Sequence, residues 1–232
     1  MLDAVVRPSS LWLINTPFSP PGLVLVAVTP GKDYGSAERE AVDQSSTGGR
    51  VKGVIFNLLE ELVRREFGES EWNHVRQDAD VDAAFTSLDT YPDAVLRKLV
   101  AAVAKRAHQT PGEALQWFGR HSMPLLASQY PTFFATQSST RSFILTLNDI
   151  IHPEVRRLYP GADVPNFSFD TSSPDELTLG YQSPRKLCAL AQGFIEGAAD
   201  HYGETVDVEQ SECMHRGDAK CVFRLRFRHR AQ

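Results

Sequence analysis

Three groups of residues have the types and spacing to do chemistry. The first is His152, late in an apolar stretch and followed at once by Pro153. Proline has no amide to bond the carbonyl of Asp149 and crowds that turn, so a helix running through it must kink or restart. A neutral imidazole at such a break suits iron in a haem; a structural or surface histidine explains the same position. The second group is Tyr181-Gln182-Ser183-Pro184-Arg185. On a strand, residues 181 and 183 share a face. Ser183 as an N-cap with Pro184 at the first helical position would turn Arg185 toward the same end. Two hydroxyls and a guanidinium fork would then converge on a dianionic group, although a strand end followed by a capped helix accounts for them equally. The third group is Cys188, Cys213 and Cys221. Gly217-Asp218 reads as a turn that brings 213 and 221 together, and Cys188 on a crossing helix would complete three thiolates of a structural zinc site. Three reduced thiols, one or more redox-responsive, are the alternative.

The elements that must position these groups follow from periodicity. Val54, Leu58, Leu59, Leu62 and Val63 recur at helical spacing and stop at Gly68. A second helix runs from Ser70 to about Asp78, and a third opens at Thr90-Tyr91-Pro92 and reaches about His108. Thr110-Pro111 starts a fourth, to about Ser128, and Ser139 or Thr140 starts a fifth carrying Phe143, Leu147, Ile150 and Ile151. After Pro160 the segments 167–169, 177–181, 206–209 and 221–228 read as strands, interrupted by one helix from Pro184 to about Tyr202. In the last strand Phe223, Leu225 and Phe227 alternate with Arg224, Arg226 and Arg228. The expected fold is α+β: a helical N-terminal subdomain, then an antiparallel sheet with a crossing helix.

The whole chain bounds the function. Its 232 residues carry 24 basic and 29 acidic side chains, a net charge of −5, with 42% hydrophobic and 23% charged residues. This is the balance of a soluble globule with ample chain for a core. The acidic balance excludes nucleic acid as a principal partner. Apolar runs end at six residues, as in 23–28, far short of the roughly 20 that a membrane helix needs. Three cysteines and no secretory signal point to a reducing, cytoplasmic compartment. No nucleophile–base motif, phosphate loop or HExxH suggests an enzyme. Residues 1–50 hold five of the 14 prolines and five of the 15 glycines, without sustained period. They read as an irregular leader. Alternatively the gene start is mis-assigned, since Val51 can be encoded by a codon that also initiates translation.

Taken together, Leu147-Asn148-Asp149-Ile150-Ile151-His152-Pro153-Glu154-Val155, Leu158-Tyr159-Pro160-Gly161-Ala162, Pro165 and Tyr181-x-Ser183-x-Arg185 closely resemble the haem nitric-oxide/oxygen-binding (H-NOX) family. That family includes the sensor domain of soluble guanylate cyclase. The resemblance spans residues 51–232, with Val51-Lys52-Gly53-Val54-Ile55 similar to the family's opening and valine where methionine is usual. It implies a haem b cofactor, His152 as proximal iron ligand, and Tyr181, Ser183 and Arg185 as the grip on the propionates. It also implies that Pro165 presses on the porphyrin and distorts it, and that Ile55 packs on the same macrocycle.

The resemblance places the distal tyrosine of oxygen-binding members at Leu190, with two supporting polar positions near Leu59 and Ser122. Leucine offers no hydrogen-bond donor, which implies a sensor selective for nitric oxide over oxygen, carbon monoxide being another ligand. Ser122 is the residue most able to undo that selectivity. Leu190 is equally readable as plain core. By the same resemblance, nitric oxide binding opposite His152 weakens the iron–histidine bond, and a partner in trans, a histidine kinase or a cyclic-dinucleotide enzyme, reads the change. Some relatives bind zinc through cysteines so placed and a histidine whose position here is Gln210; His215 is the substitute candidate. The segment 213–221 also resembles vinyl-reductase-like modules that bind small hydrophobic molecules, a reading that leaves His152, Tyr181, Ser183 and Arg185 unexplained.

Overall fold

The helices of the N-terminal half begin and end where their residues dictate. Helix α1 (Gly53–Phe67) buries Phe56, Leu58, Leu59, Leu62 and Val63 on one face and stops at Gly68, whose φ of 109° favours glycine. Helix α2 (Glu71–Asp78) follows, and Ser70 precedes it in helical conformation without capping through its side chain. Helix α4 (Pro111–Gln129) opens with a full capping box between Thr110 and Glu113. The computed structural model describes residues 49–230, all of them within the unit Ser45–Gln232. The expected leader therefore lies outside the described residues, apart from its last two.

One expected helix start is a strand instead. Thr90–Pro92 forms β2, paired antiparallel with β1 (Arg50–Lys52), and helix α3 begins only at Asp93, running to Arg106. A residue before proline is driven toward extended backbone, so Tyr91 favours a strand and Pro92 the position just outside the helix. A five-residue helix α5 (Pro131–Ala135), not expected from periodicity, continues from α4.

The expected fifth helix is split in three. Helix α6 (Thr140–Leu145) is capped by Ser139 and a wide π-type turn covers Leu147–Ile151. Helix α7 (His152–Leu158) then starts on His152 itself. The amides of Ile151 and His152 reach back five residues, to the carbonyls of Thr146 and Leu147. Pro153 cannot donate to Asp149, so the chain accommodates one extra residue before the α pattern resumes.

Strands β3 (Asn166–Asp170), β4 (Leu177–Gln182), β5 (Glu204–Glu212) and β6 (Cys221–His229) make a fully antiparallel sheet in the order β3-β4-β6-β5. In β6, Cys221, Phe223 and Leu225 are buried while the alternating arginines are exposed. The crossing helix α8 (Cys188–His201) starts four residues later than expected. The intervening residues form a tight turn in which the Lys186 amide bonds the Ser183 carbonyl (3.0 Å) and Lys186 takes a φ of 51°. Helix α8 lies directly on α4. A Cβ on Gly119 would stand 2.4 Å from the Leu190 carbonyl oxygen, and one on Gly193 2.1 Å from that of Gln116. Among the described residues no helix is long and apolar enough to cross a membrane.

Candidate functional site

A cavity of about 300 Å³ opens between the helical half and the sheet. Ile55 and Leu58 come from α1, Leu190, Ala191, Phe194 and Ile195 from α8, and Leu147 and Ile151 from the wide turn. An aromatic wall of Tyr130, Phe133, Phe134, Phe143 and Tyr159 completes it. Its size and apolar character suit a flat hydrophobic ligand.

His152 enters this wall from the first residue of α7. Burial, with the charge of Arg156 adding to it, lowers the imidazole to about 4, so the ring is neutral at pH 7. Phe167 of β3 lies against it, ring centroids 5.6 Å apart and 26° from parallel. The Asn148 side-chain amide donates to the Phe167 carbonyl (2.9 Å), tying the wide turn to the strand behind the ring. The sequence thus builds a kink, a neutral nitrogen and a ring to steady it from three separate elements.

The polar end of the cavity is formed by Tyr181 and Arg185 with Asp163 nearby. The Tyr181 hydroxyl accepts from the Leu187 amide (3.1 Å), and burial raises its pKa against the opposing pull of Ser183, Leu187 and Arg185. The Arg185 guanidinium donates to the carbonyl of Asp163, and its Nε is buried without a hydrogen-bond partner. Its Nε lies 3.9 Å from the Asp163 carboxylate, an ion pair too long to be a hydrogen bond, so a donor facing the apolar slot is left for an incoming carboxylate. A neutral imidazole on one wall and donors at one end fit an iron porphyrin with its two carboxylates.

Of the residues singled out from sequence, His152, Pro165, Tyr181, Arg185, Ile55 and Leu190 line this one cavity. Ser183, Leu59 and Ser122 do not. Ser183 follows the end of β4 and is not an N-cap; its hydroxyl accepts from the Arg185 amide (3.3 Å) within the tight turn. Leu59 is packed in the helical core. Ser122 is fully buried on α4 and spends its hydroxyl on the Phe118 carbonyl one turn back (2.7 Å). Of the aromatic wall, Phe143 and Tyr159 were named from sequence but Tyr130, Phe133 and Phe134 were not, although Tyr130-Pro131-Thr132-Phe133-Phe134, a dense aromatic run with no core period of its own, was a signal.

A model of the family described as "Haem-NO-binding" matches residues 52–210. The chain belongs to the haem-NO-binding, or H-NOX, family. A crystal structure of an H-NOX protein from S. oneidensis in the Fe(II)NO state is 29% identical with a TM-score of 0.73, over 77% of this chain and 100% of that one. The Fe(II)CO form of the H-NOX domain from Shewanella oneidensis, solved by NMR, gives 29% and 0.71, over 78% and 100%. An unliganded Fe(II) H-NOX protein from K. algicida shares the fold, at 21% identity and a TM-score of 0.69, over 78% of this chain and 99% of that one. Membership makes this H-NOX domain a haem-binding gas sensor of α+β fold.

Away from the cavity, the sulfurs of Cys188, Cys213 and Cys221 lie within 4.8 Å of one another, and Cys188 and Cys213 are 3.9 Å apart. Burial raises Cys188 and pushes Cys221 up to about 12. At Cys213 burial acts the same way but is outweighed, first by the His215 amide and then by hydrogen bonds from Cys188 and Cys221, and its thiol is lowered. His215 does not join them: its Nε2 is 2.8 Å from the Lys186 carbonyl oxygen. Gln210 keeps a buried side-chain nitrogen without a partner.

Proposed function

We propose that this H-NOX domain senses nitric oxide in preference to oxygen and signals to a separate partner protein in the cytoplasm. The observation that carries the reading is the lining of the cavity: a neutral His152, a Tyr181–Arg185 end, and apolar Leu190 at the position to which the resemblance assigns the distal tyrosine of oxygen binders. A bound ferrous haem supplies the coordination position for a diatomic gas. His152 would be the iron ligand and needs to lose no proton to act, while Tyr181 and Arg185 would hold the carboxylates, and Pro165 and Ile55 would pack on the macrocycle. Leu190 keeps water out and offers no proton. Oxygen draws negative charge and requires a donor; a lost charge-assisted bond is worth about 1.5–3 kcal/mol, roughly 10- to 150-fold in affinity. Nitric oxide is far less polarised, so its binding survives, as does that of carbon monoxide. The S. oneidensis structure in its Fe(II)NO state supports this choice of ligand.

Because His152 is the first residue of α7, tension on its ring acts directly on that helix and on the wide turn before it. A two-state shift of α7 is the signal, and a histidine kinase or cyclic-dinucleotide enzyme is the proposed reader. The three cysteines bind zinc in the same reading. Tetrahedral zinc at about 2.3 Å from each thiolate sets sulfurs roughly 3.8 Å apart, against 3.9 Å between Cys188 and Cys213. The deciding experiment is an absorption spectrum of the purified protein, with His152→Gly beside it. A Soret band that shifts with nitric oxide and not with air, and is lost or weakly held in the variant, is expected. A protein that stays colourless after reconstitution with hemin overturns the reading.

A further inference from the structure

Arg185 is held both by the cavity's own rim, at Arg50 and Asp163, and by Gly49, Asp93 and Arg97, which do not line the cavity. Its side chain is only 11% exposed, and Nη1 approaches the Arg50 carbonyl oxygen at 3.5 Å while Nη2 donates to that of Asp163. The aliphatic stem lies on Gly49: a Cβ there would stand 2.4 Å from Arg185 Cγ and 2.9 Å from Cδ. These atoms are near the root of the side chain, so it could not yield by moving its tip alone. The backbone is held as well. Arg97 of α3 donates to the Arg185 carbonyl (2.7 Å) and to the carboxylate of Asp93 (3.1 Å). The Asp93 amide in turn donates to the Gly49 carbonyl (2.9 Å), which closes the ring. Asp93 is 8% exposed, an uncommon burial for a carboxylate unless it is paired.

The arrangement joins Gly49, α3 and the tight turn after β4 around a single guanidinium. A free arginine has many rotamers to lose when it meets a carboxylate, and a stem already wedged on Gly49 loses fewer. We propose that Gly49, Asp93 and Arg97 are positioning residues for Arg185. The carboxylate-binding end of the pocket thereby extends N-terminally beyond the family match, which begins at residue 52. The inference rests on the haem reading, in which Arg185 meets a propionate.

The test uses the full chain, loaded either with hemin or with iron protoporphyrin dimethyl ester, whose carboxylates are masked. Loss to excess apomyoglobin is timed for wild type, Gly49→Val and Arg97→Gln, and thermal unfolding of each apo form is recorded. Both variants are expected to release hemin on the order of tenfold faster, the size of one weakened charge-assisted bond. The ester should leave wild type and variants at equal rates. Should Gly49→Val fail to fold, Arg97→Gln carries the comparison. Hemin loss unchanged in the variants overturns the positioning role, as does equal acceleration of hemin and ester, which would mark general loosening. A wild type that takes up neither porphyrin removes the haem reading itself, and this inference with it.

Discussion

An imidazole kept neutral by burial is ready to bind a metal, but what binds next to the metal depends on the facing wall. Leu190 lines the cavity and is 7% exposed, so a hydroxyl placed there would be dry and its hydrogen bonds strong. Leu190→Tyr is expected to raise oxygen affinity by about 10- to 150-fold. Ferrous spectra in air and under argon measure this, and an unchanged affinity would count against the polarity argument. Ser122→Ala, by contrast, should leave gas selectivity as it is, because the hydroxyl is already committed to Phe118 and does not reach the lining. Types and spacing in the sequence marked His152, Tyr181 and Arg185 as candidates, and the structure brings all three to one cavity. They could not reveal that Ser122 is occupied, since one turn of helix decides whether a serine faces a pocket or its own backbone. Nor could they reveal Gly49 and Arg97, which act through contacts 136 and 88 residues away.

At the scale of elements, α4 and α8, which both line the cavity, approach each other closely. A Cβ on Gly197 would stand 2.4 Å from the Arg120 carbonyl oxygen and 2.7 Å from Met123 Cγ. Gly197→Val must therefore separate the two helices, at a cost of about 1–3 kcal/mol or more. In a chain of this size that lowers the unfolding temperature by roughly 2–4 °C per kcal/mol. Gly112→Ala is the control: its Cβ would meet nothing closer than 3.9 Å, and the substitution should stabilise α4 by about 0.4–1 kcal/mol. Calorimetry on both variants separates close approach from glycine as such; equal shifts would refute the packing argument. Long periodic elements such as α1 and β6 were legible because burial enforces their pattern. The strand Thr90–Pro92 was not, since its partner Arg50–Lys52 lies 40 residues upstream and three residues carry no period. The late start of α8 was hidden for a similar reason. Ser183-Pro184 is a plausible helix start by local preference, but here the Ser183 hydroxyl closes a tight turn on the Arg185 amide and Arg97 takes up the Arg185 carbonyl.

Across the whole molecule, the cysteine cluster adjoins the turn that carries Arg185 to the cavity. Cys188 opens α8, Cys213 follows β5 and Cys221 opens β6, so a metal there would join three elements at one corner. The same corner grips the turn that presents Arg185: Lys186 Nζ donates to the Met214 carbonyl (3.3 Å), and His215 meets the Lys186 carbonyl. Zinc held 1,000-fold above its dissociation constant adds about 4 kcal/mol of stability, or on the order of 10 °C in unfolding temperature. Chelation under reducing conditions should remove that increment, and Cys213→Ser should abolish both the metal and its response to chelator. Because the corner also sets the 183–188 turn, zinc-free protein should release hemin faster than the zinc form while its iron ligand stays the same. Elemental analysis, thermal scans with and without chelator, and timed hemin loss test the three parts in turn. Protein that carries no zinc when purified with zinc present, and whose unfolding ignores chelator, would leave the cysteines as packed thiols. The turn would then depend on the Arg97–Asp93 side alone.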